Sequence, residues 1–324
     1  MTECDLLIIG AGPAGLYASY YSGFRGFRTV LLDVLPELGG QITAMYPEKQ
    51  IFDIAGFPAI KGRELVDGLV TQMMAHFPTV FAGEMATQLV TSIDGPVVVT
   101  TDTGRVIQAK ACVITGGIGS FTPRPLPAAE NYIDKGLVFF VPRLEALRDH
   151  DVVIVGGGDS AFDWALSLAS IARSIKIVHR RDTFRAHATT VEQVRSLGIE
   201  IIVNAEVTNV SGTETINEIS ITTKDGAVRT LPCQTLVAAL GFVANIGPIS
   251  EWGITVEKRH IVVDSAMRTN LPRVYAAGDI TTYEGKVPLI SVGFGEAATA
   301  VNNAAPFIDP THGTFPGHSS GGSE

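Results

Sequence analysis

The sequence predicts an α/β protein built from two Rossmann-like, three-layer dinucleotide-binding domains, one inserted within the other. Three observations lead to that reading. An apolar strand, a glycine turn, a helix and a second strand occur in that order near the N-terminus, and the same order recurs 146 residues later. The two copies keep one spacing: Gly10 to Asp33 spans 23 positions, and so does Gly156 to His179. Glycine- and proline-bearing connections near 116–127 and 241–250 bracket the second copy.

The elements follow in order. Residues 5–10 are apolar enough for an interior strand, and the helix after the turn reaches about Gly23. Residues 29–33 form the partner strand of a βαβ unit, and 96–101 and 109–115 read as further strands. In the second copy, residues 151–156 are the strand. The helix runs through Ala165 and Leu168 to about Ala172, and residues 175–179 are the next strand. Residues 236–241 and 274–279 are strand-to-glycine signals, and an alanine-rich helix occupies about 293–303. The first domain is therefore residues 1–116 and 245–308, and the inserted one is 117–244. Residues 309–324, rich in Gly, Ser, Pro and His, read as a tail that is disordered or orders only against a partner.

Composition bounds the function. With 46% hydrophobic and 18% charged residues the chain is an ordinary globular one. No apolar run approaches the roughly 18 residues a membrane helix needs, so no membrane partner is expected. The N-terminal stretch does not read as a secretion signal, and cytoplasmic residence is the default expectation. A net charge of −9 argues against nucleic acid, while an acidic protein could still dock on a local basic patch. Cys4, Cys112 and Cys233 lie in apolar segments with no C-x-x-C spacing and no nearby histidine, so they read as buried thiols. No metal site is expected.

The two glycine turns carry the chemistry. In each, the first glycine makes the tight turn, the second admits a pyrophosphate to the backbone, and the third small residue lets helix and strand pack closely. The first turn supplies Gly10, Gly12, Pro13, Ala14 and Gly15; the second supplies Gly156, Gly158, Asp159, Ser160 and Ala161. The ends of the second strands differ. Asp33 can accept ribose hydroxyls and would repel a 2′-phosphate, so the first unit suits FAD or NAD. His179 stands at the equivalent position, with Arg180, Arg181 and Arg185 behind it; guanidinium forks match a 2′-phosphate. FAD in the first unit and NADPH in the second is the pairing that gives hydride a donor and a different acceptor. No Ser–His–Asp or Cys–His set is present for acid–base or nucleophilic catalysis, so the chemistry is hydride transfer at the flavin.

These residues also carry a family resemblance. The glycine turn 10–15, Leu38-Gly39-Gly40-Gln41, residues 179–186 and Ala276-Ala277-Gly278-Asp279 resemble the thioredoxin reductase group of flavoproteins over nearly the whole chain. That group places a redox-active C-x-x-C just before the second glycine turn. Residues 136–142 stand there without a cysteine, so a dithiol cycle is not available. Residues 46–58 and the extended C-terminus are similar to the thioredoxin-reductase-like ferredoxin–NADP reductases.

The resemblance implies a homodimer that passes electrons from NADPH through FAD to ferredoxin or flavodoxin. It implies that Asp33, Gly40 and Gln41 bind FAD and that Tyr46 stacks on the isoalloxazine. Ala14, Ala86 and Phe121 would line the cofactor, and Gly278 and Asp279 would lie near the ribityl and pyrophosphate. His318 would cover the other flavin face from the second subunit, with Ser319 or Ser320 near flavin N5. Two other readings stay open at this point: an NADPH-dependent diaphorase or oxidase serving quinone or oxygen, and a non-catalytic FAD/NADPH redox sensor.

Overall fold

A strand apolar end to end can only sit inside a sheet covered on both faces. Leu6, Leu7, Ile8 and Ile9 meet that condition, all buried within β1 (Thr2–Ile9). The computed structural model describes residues 1–141 and 143–317. By backbone proximity the chain divides into two units, one of residues 1–44, 50–120 and 244 onward, the other of residues 45–49 and 121–243.

In the first unit, α1 (Pro13–Phe24) follows β1 and returns the chain to β2 (Thr29–Asp33). A short α2 (Gln41–Met45) and α3 (Gly62–Met74) lead to β3 (Thr79–Ala82). Strands β4 (Ala86–Val90), β5 (Val97–Thr101) and β6 (Val106–Ile114) form an antiparallel wing, and β6 also pairs in parallel with β1 from Ile107 to Ile114. The sheet order is β3-β2-β1-β6-β5-β4.

The chain crosses to the second unit through β7 (Ser120–Pro123). There β8 (Leu137–Val138), β9 (Asp151–Val155), α4 (Asp159–Leu168), β10 (Ser174–Val178), α5 (Ala188–Ser196) and β11 (Glu200–Ile202) follow. A three-stranded antiparallel sheet comes next: β12 (Ala205–Ser211), β13 (Glu218–Thr223) and β14 (Val228–Pro232). Then β15 (Thr235–Ala238) completes a parallel sheet of order β8-β15-β9-β10-β11. The period-2 alternation of β9 makes three layers from it. Val152 and Ile154 pack with Ala161, Phe162 and Val194 of the helices, whereas Val153 and Val155 pack with Ile219, Ile221 and Leu231 of the antiparallel sheet.

The chain returns through β16 (Phe242–Asn245), which pairs with β7. The two connections expected to be irregular are thus joined as a ribbon. The Arg124 N–H donates to the Gly241 carbonyl at 2.9 Å and the Ser120 hydroxyl to the Asn245 carbonyl at 3.1 Å. In the first unit, β17 (Val274–Ala276) then pairs in parallel with β6, and α6 (Ile290–Ile308) packs on the sheet.

Three further expectations are corrected. The helix α4 stops at Leu168, four residues before Ala172, where its bonds tighten to three-residue turns: the Ala169 N–H donates to the Leu166 carbonyl at 3.3 Å and the Ile171 N–H to the Leu168 carbonyl at 2.9 Å. Helix α6 extends beyond 303 and contains Pro306, whose missing N–H removes one bond; the Asp309 N–H still donates to the Ala305 carbonyl at 2.9 Å. The start of the tail is ordered by this chain itself. Arg25 donates to the carbonyls of Gly313 at 2.7 Å and Thr314 at 3.3 Å. Among the described residues, no helix is long and apolar enough to cross a membrane.

Candidate functional site

The first glycine turn leaves room for a ligand at one place and none elsewhere. Gly10 has φ +111°, and a Cβ there would lie 2.4 Å from the Thr115 carbonyl oxygen. A Cβ on Gly15 would lie 1.8 Å from the Gly10 carbonyl oxygen. At Gly12 a Cβ would meet nothing within 4 Å. Gly12 is also the N-cap of α1, with no side-chain cap, and Pro13 opens the helix. The first N–H groups of α1 therefore face an open space without a protein acceptor, as an anion cradle requires. This is the observation on which the residues fit the pyrophosphate of a dinucleotide.

Neighbouring segments close on that turn. A Cβ on Gly40, at φ +58°, would sit 2.9 Å from Gly12 Cα, and the Gly39 N–H donates to the Ala11 carbonyl at 2.8 Å. The buried Asp33 carboxylate accepts the Ala11 N–H with Oδ2 and the Leu35 N–H with Oδ1 at 2.7 Å. Burial pushes the Asp33 carboxyl above its usual range, and the two N–H groups oppose that shift. Gly278 packs against Ala14, and the Gln41 amide donates to Asp279 Oδ2 at 3.4 Å. The structure thus brings together Gly10, Gly12, Pro13, Ala14, Gly15, Asp33, Gly40, Gln41, Gly278 and Asp279.

The other residues expected to contact the flavin are described each in its own unit. Ala86 opens β4 and is buried, two residues beyond Glu84, whose N–H donates to the Asp33 carbonyl at 3.0 Å. Tyr46 follows α2 and belongs to the second unit. Phe121 also belongs to the second unit, its ring 5.9 Å from Phe242 and 6.3 Å from Phe140. His318, Ser319 and Ser320 lie outside the described residues.

The second turn repeats the geometry of the first. A Cβ on Gly156 would lie 2.4 Å from the Ala239 carbonyl oxygen and 3.2 Å from Ala161 Cβ, while at Gly158 it would meet nothing. Gly158 caps α4 without a side-chain bond, and Asp159 and Ser160 begin the helix. Asp159 Oδ1 accepts the His187 N–H at 3.0 Å and the Gly157 carbonyl accepts the Arg185 N–H at 2.8 Å, which ties the arginine loop to the turn.

His179 lies against Gly157, where a Cβ would come within 2.3 Å of the imidazole. Its Nε2 donates to the Thr183 carbonyl at 3.2 Å, since a carbonyl can only accept. Burial pushes the His179 pKa down, and the charges of Arg180, Arg181 and Arg185 act the same way. All three arginines are exposed, and none forms an ion pair among the described residues. Three unneutralised guanidinium groups follow one strand end, and guanidinium forks suit a phosphate dianion.

Residues missed in the sequence reading act beneath these turns. The Thr115 hydroxyl donates to the Gly10 carbonyl at 2.7 Å, and Glu296 Oε2 accepts the Gly278 N–H at 2.7 Å. Glu296 carried a signal: it is the one acid on the Gly293, Ala297, Ala300, Ala304 stripe of an otherwise apolar buried helix face.

Comparison with known proteins places this architecture. Residues 4–304 match the family described as pyridine nucleotide-disulphide oxidoreductase. The chain belongs to that family. Among relatives of this oxidoreductase, a protein from Nocardioides sp. named ferredoxin–NADP reductase is 60% identical over 324 residues, covering 99% of this chain and 98% of the relative. A protein of the same name from Salinispora arenicola is 58% identical and covers 100% of both chains. Among solved structures, thioredoxin reductase from Lactococcus lactis superimposes with a TM-score of 0.74 at 26% identity, covering 94% of this chain and 99% of that one. The oxidoreductase departs from the disulphide part of its family's description: its three cysteines are free and buried. Burial pushes Cys4 and Cys233 up to about 12, and Cys112 higher still.

Proposed function

We propose that this chain is a ferredoxin–NADP reductase, with FAD on the first unit, NADPH on the second, and ferredoxin or flavodoxin as electron acceptor. One observation carries the reading. Two turns of the same geometry end in opposite charge, a buried carboxylate at Asp33 and three unpaired guanidiniums beyond His179, with no accessible thiol in the chain. The names of relatives 58–60% identical over the full chain support the same activity.

FAD, when bound, accepts hydride from NADPH and releases the electrons one at a time. The chain's own residues bind and orient. The uncapped starts of α1 and α4 receive the pyrophosphates, and Asp33 retains lone pairs for ribose hydroxyls beyond its two backbone bonds. Arg180, Arg181 and Arg185 take the 2′-phosphate. In this reading Tyr46 and His318 stack on the flavin, Ala86 and Phe121 line it, and Ser319 or Ser320 lies near N5. The tail would reach the flavin of the second subunit in a homodimer, and the protein would work in the cytoplasm.

The test compares acceptors. The purified chain, loaded with FAD, is given NADPH with ferredoxin, flavodoxin or thioredoxin, and cytochrome c reduction is followed. Reduction that depends on ferredoxin or flavodoxin is expected. Equal rates with quinone or oxygen alone would replace the proposal with a diaphorase.

A further inference from the structure

The turn that carries Asp279 stands on a buried ion pair. The side chain of Glu296, on α6, is 4% exposed, and that of Lys286 beside it is 10% exposed. Glu296 Oε2 accepts the Gly278 N–H at 2.7 Å and the Thr281 hydroxyl at 3.4 Å. Its Oε1 accepts the Tyr283 hydroxyl at 2.6 Å and a proton of Lys286 Nζ. Lys286 Nζ also donates to the Gly278 carbonyl at 3.0 Å. The ion pair therefore bonds both backbone polar groups of Gly278, whose carbonyl also accepts the Thr281 N–H at 3.0 Å and the Thr281 hydroxyl at 2.8 Å. From the other side Ala14 closes the space, because a Cβ on Gly278 would lie 3.0 Å from the Ala14 Cβ.

Stability alone does not call for this arrangement. A buried ion pair is often no more stabilising than apolar residues of the same volume, and Glu296 sits on a face otherwise made of Gly, Ala, Val and Ile. What the pair adds is direction, with an acceptor and a donor aimed at one residue. Tyr283 is pushed up to about 12, by burial first and then by Glu296, so its hydroxyl remains a donor at working pH.

We propose that Lys286 and Glu296 are positioning residues of the FAD site, fixing the Gly278–Asp279 turn so that Asp279 meets the ribityl and pyrophosphate region in one geometry. The proposal rests on the assignment of FAD to the first unit. Removing either charge strands its buried partner: without Glu296 the Gly278 N–H loses its acceptor, and without Lys286 the Gly278 carbonyl keeps only its two bonds from Thr281. Removing both leaves no stranded charge.

The experiment titrates FAD into flavin-free protein by fluorescence quenching, with the melting temperature of the flavin-free protein and the visible spectrum of the bound flavin as further readouts. The variants are Lys286→Met, Glu296→Gln, the double variant, Lys286→Arg and Tyr283→Phe. Lys286→Met is expected to raise the Kd for FAD about tenfold or more and to alter the flavin spectrum. The double variant should bind more tightly than Lys286→Met alone, and Lys286→Arg should recover part of the loss. Where Lys286→Met does not fold, Tyr283→Phe removes a single bond and should still weaken FAD several-fold. Variants that melt earlier yet bind FAD with the original Kd and spectrum would reduce the pair to a structural role and overturn the proposal. Unmodified protein that takes up no FAD would instead overturn the assignment of the first unit.

Discussion

The carboxylate of Asp33 accepts the backbone N–H of Ala11, 22 residues earlier, so the residue expected to read the ribose also holds the glycine turn. Its second oxygen takes the Leu35 N–H at 2.7 Å. A carboxylate offers about four lone-pair sites, and two of them remain. Asp33→Ala orphans two N–H groups beside a buried site, at about 1–3 kcal/mol each. The melting temperature of the flavin-free protein should fall and the Kd for FAD should rise. Asp33→Asn, which keeps one acceptor oxygen, should lie between. An Asp33→Ala protein that melts like the original would show that the turn holds itself.

At the second turn the electrostatics point the other way. Arg180, Arg181 and Arg185 all press on the His179 imidazole, and no carboxylate neutralises them among the described residues. In the proposed function a 2′-phosphate would supply the missing charge. Arg180→Ala with Arg181→Ala should raise KM for NADPH by about a hundredfold to ten-thousandfold, taking about 1.5–3 kcal/mol for each of the two charge-assisted contacts. KM for NADH should change only a few-fold. Steady-state kinetics with both nucleotides decides this, and equal losses would remove the 2′-phosphate assignment.

The features legible in the sequence were those set by local chemistry. The strand at 29–33 stands where its apolar run put it, and the two glycine turns repeat down to Gly12 and Gly158, the positions left open for a ligand. The features that were not legible depend on residues far apart in the chain. The anchoring of the tail is set by Arg25, and the support of Gly278 by Lys286 and Glu296. A hydrogen bond between elements that only the fold brings together leaves no periodicity to read.

The loop beside Asp33 has its own pH signature. Glu84, whose N–H donates to the Asp33 carbonyl, is held by Arg105 at 2.9 Å and by the hydroxyls of Thr103 and Thr101 at 2.8 and 3.0 Å. The Arg105 bond foremost, then Thr103, pulls its carboxyl from 4.5 to about 2. A depressed folded pKa means stability that is present above 4.5 and lost as pH falls through about 2. Glu84→Gln should therefore melt below the original protein near neutrality, and the two curves should converge as pH drops across that window. A constant gap at all pH values would assign the effect to packing and not to charge.

Arg25 provides the last case, because a buried guanidinium must spend its donors. It is 8% exposed and donates to Asn302 Oδ1 at 2.7 Å, the Gly313 carbonyl at 2.7 Å and the Thr314 carbonyl at 3.3 Å. The same group stands 5.9 Å from the Phe27 ring, which in turn packs on His312 at 5.4 Å. One side chain thus joins the end of α1, the helix α6 and the segment that leads into the tail. Arg25→Ala should cost about 1–3 kcal/mol through the lost charge-assisted bonds and should speed cleavage after residue 308 in limited proteolysis. Arg25→Lys keeps the charge but cannot reach three acceptors from one planar fork, so its cleavage rate should fall between the two. If tail cleavage keeps its original rate while the melting temperature drops, the bonds to Gly313 and Thr314 follow the tail's position and do not set it.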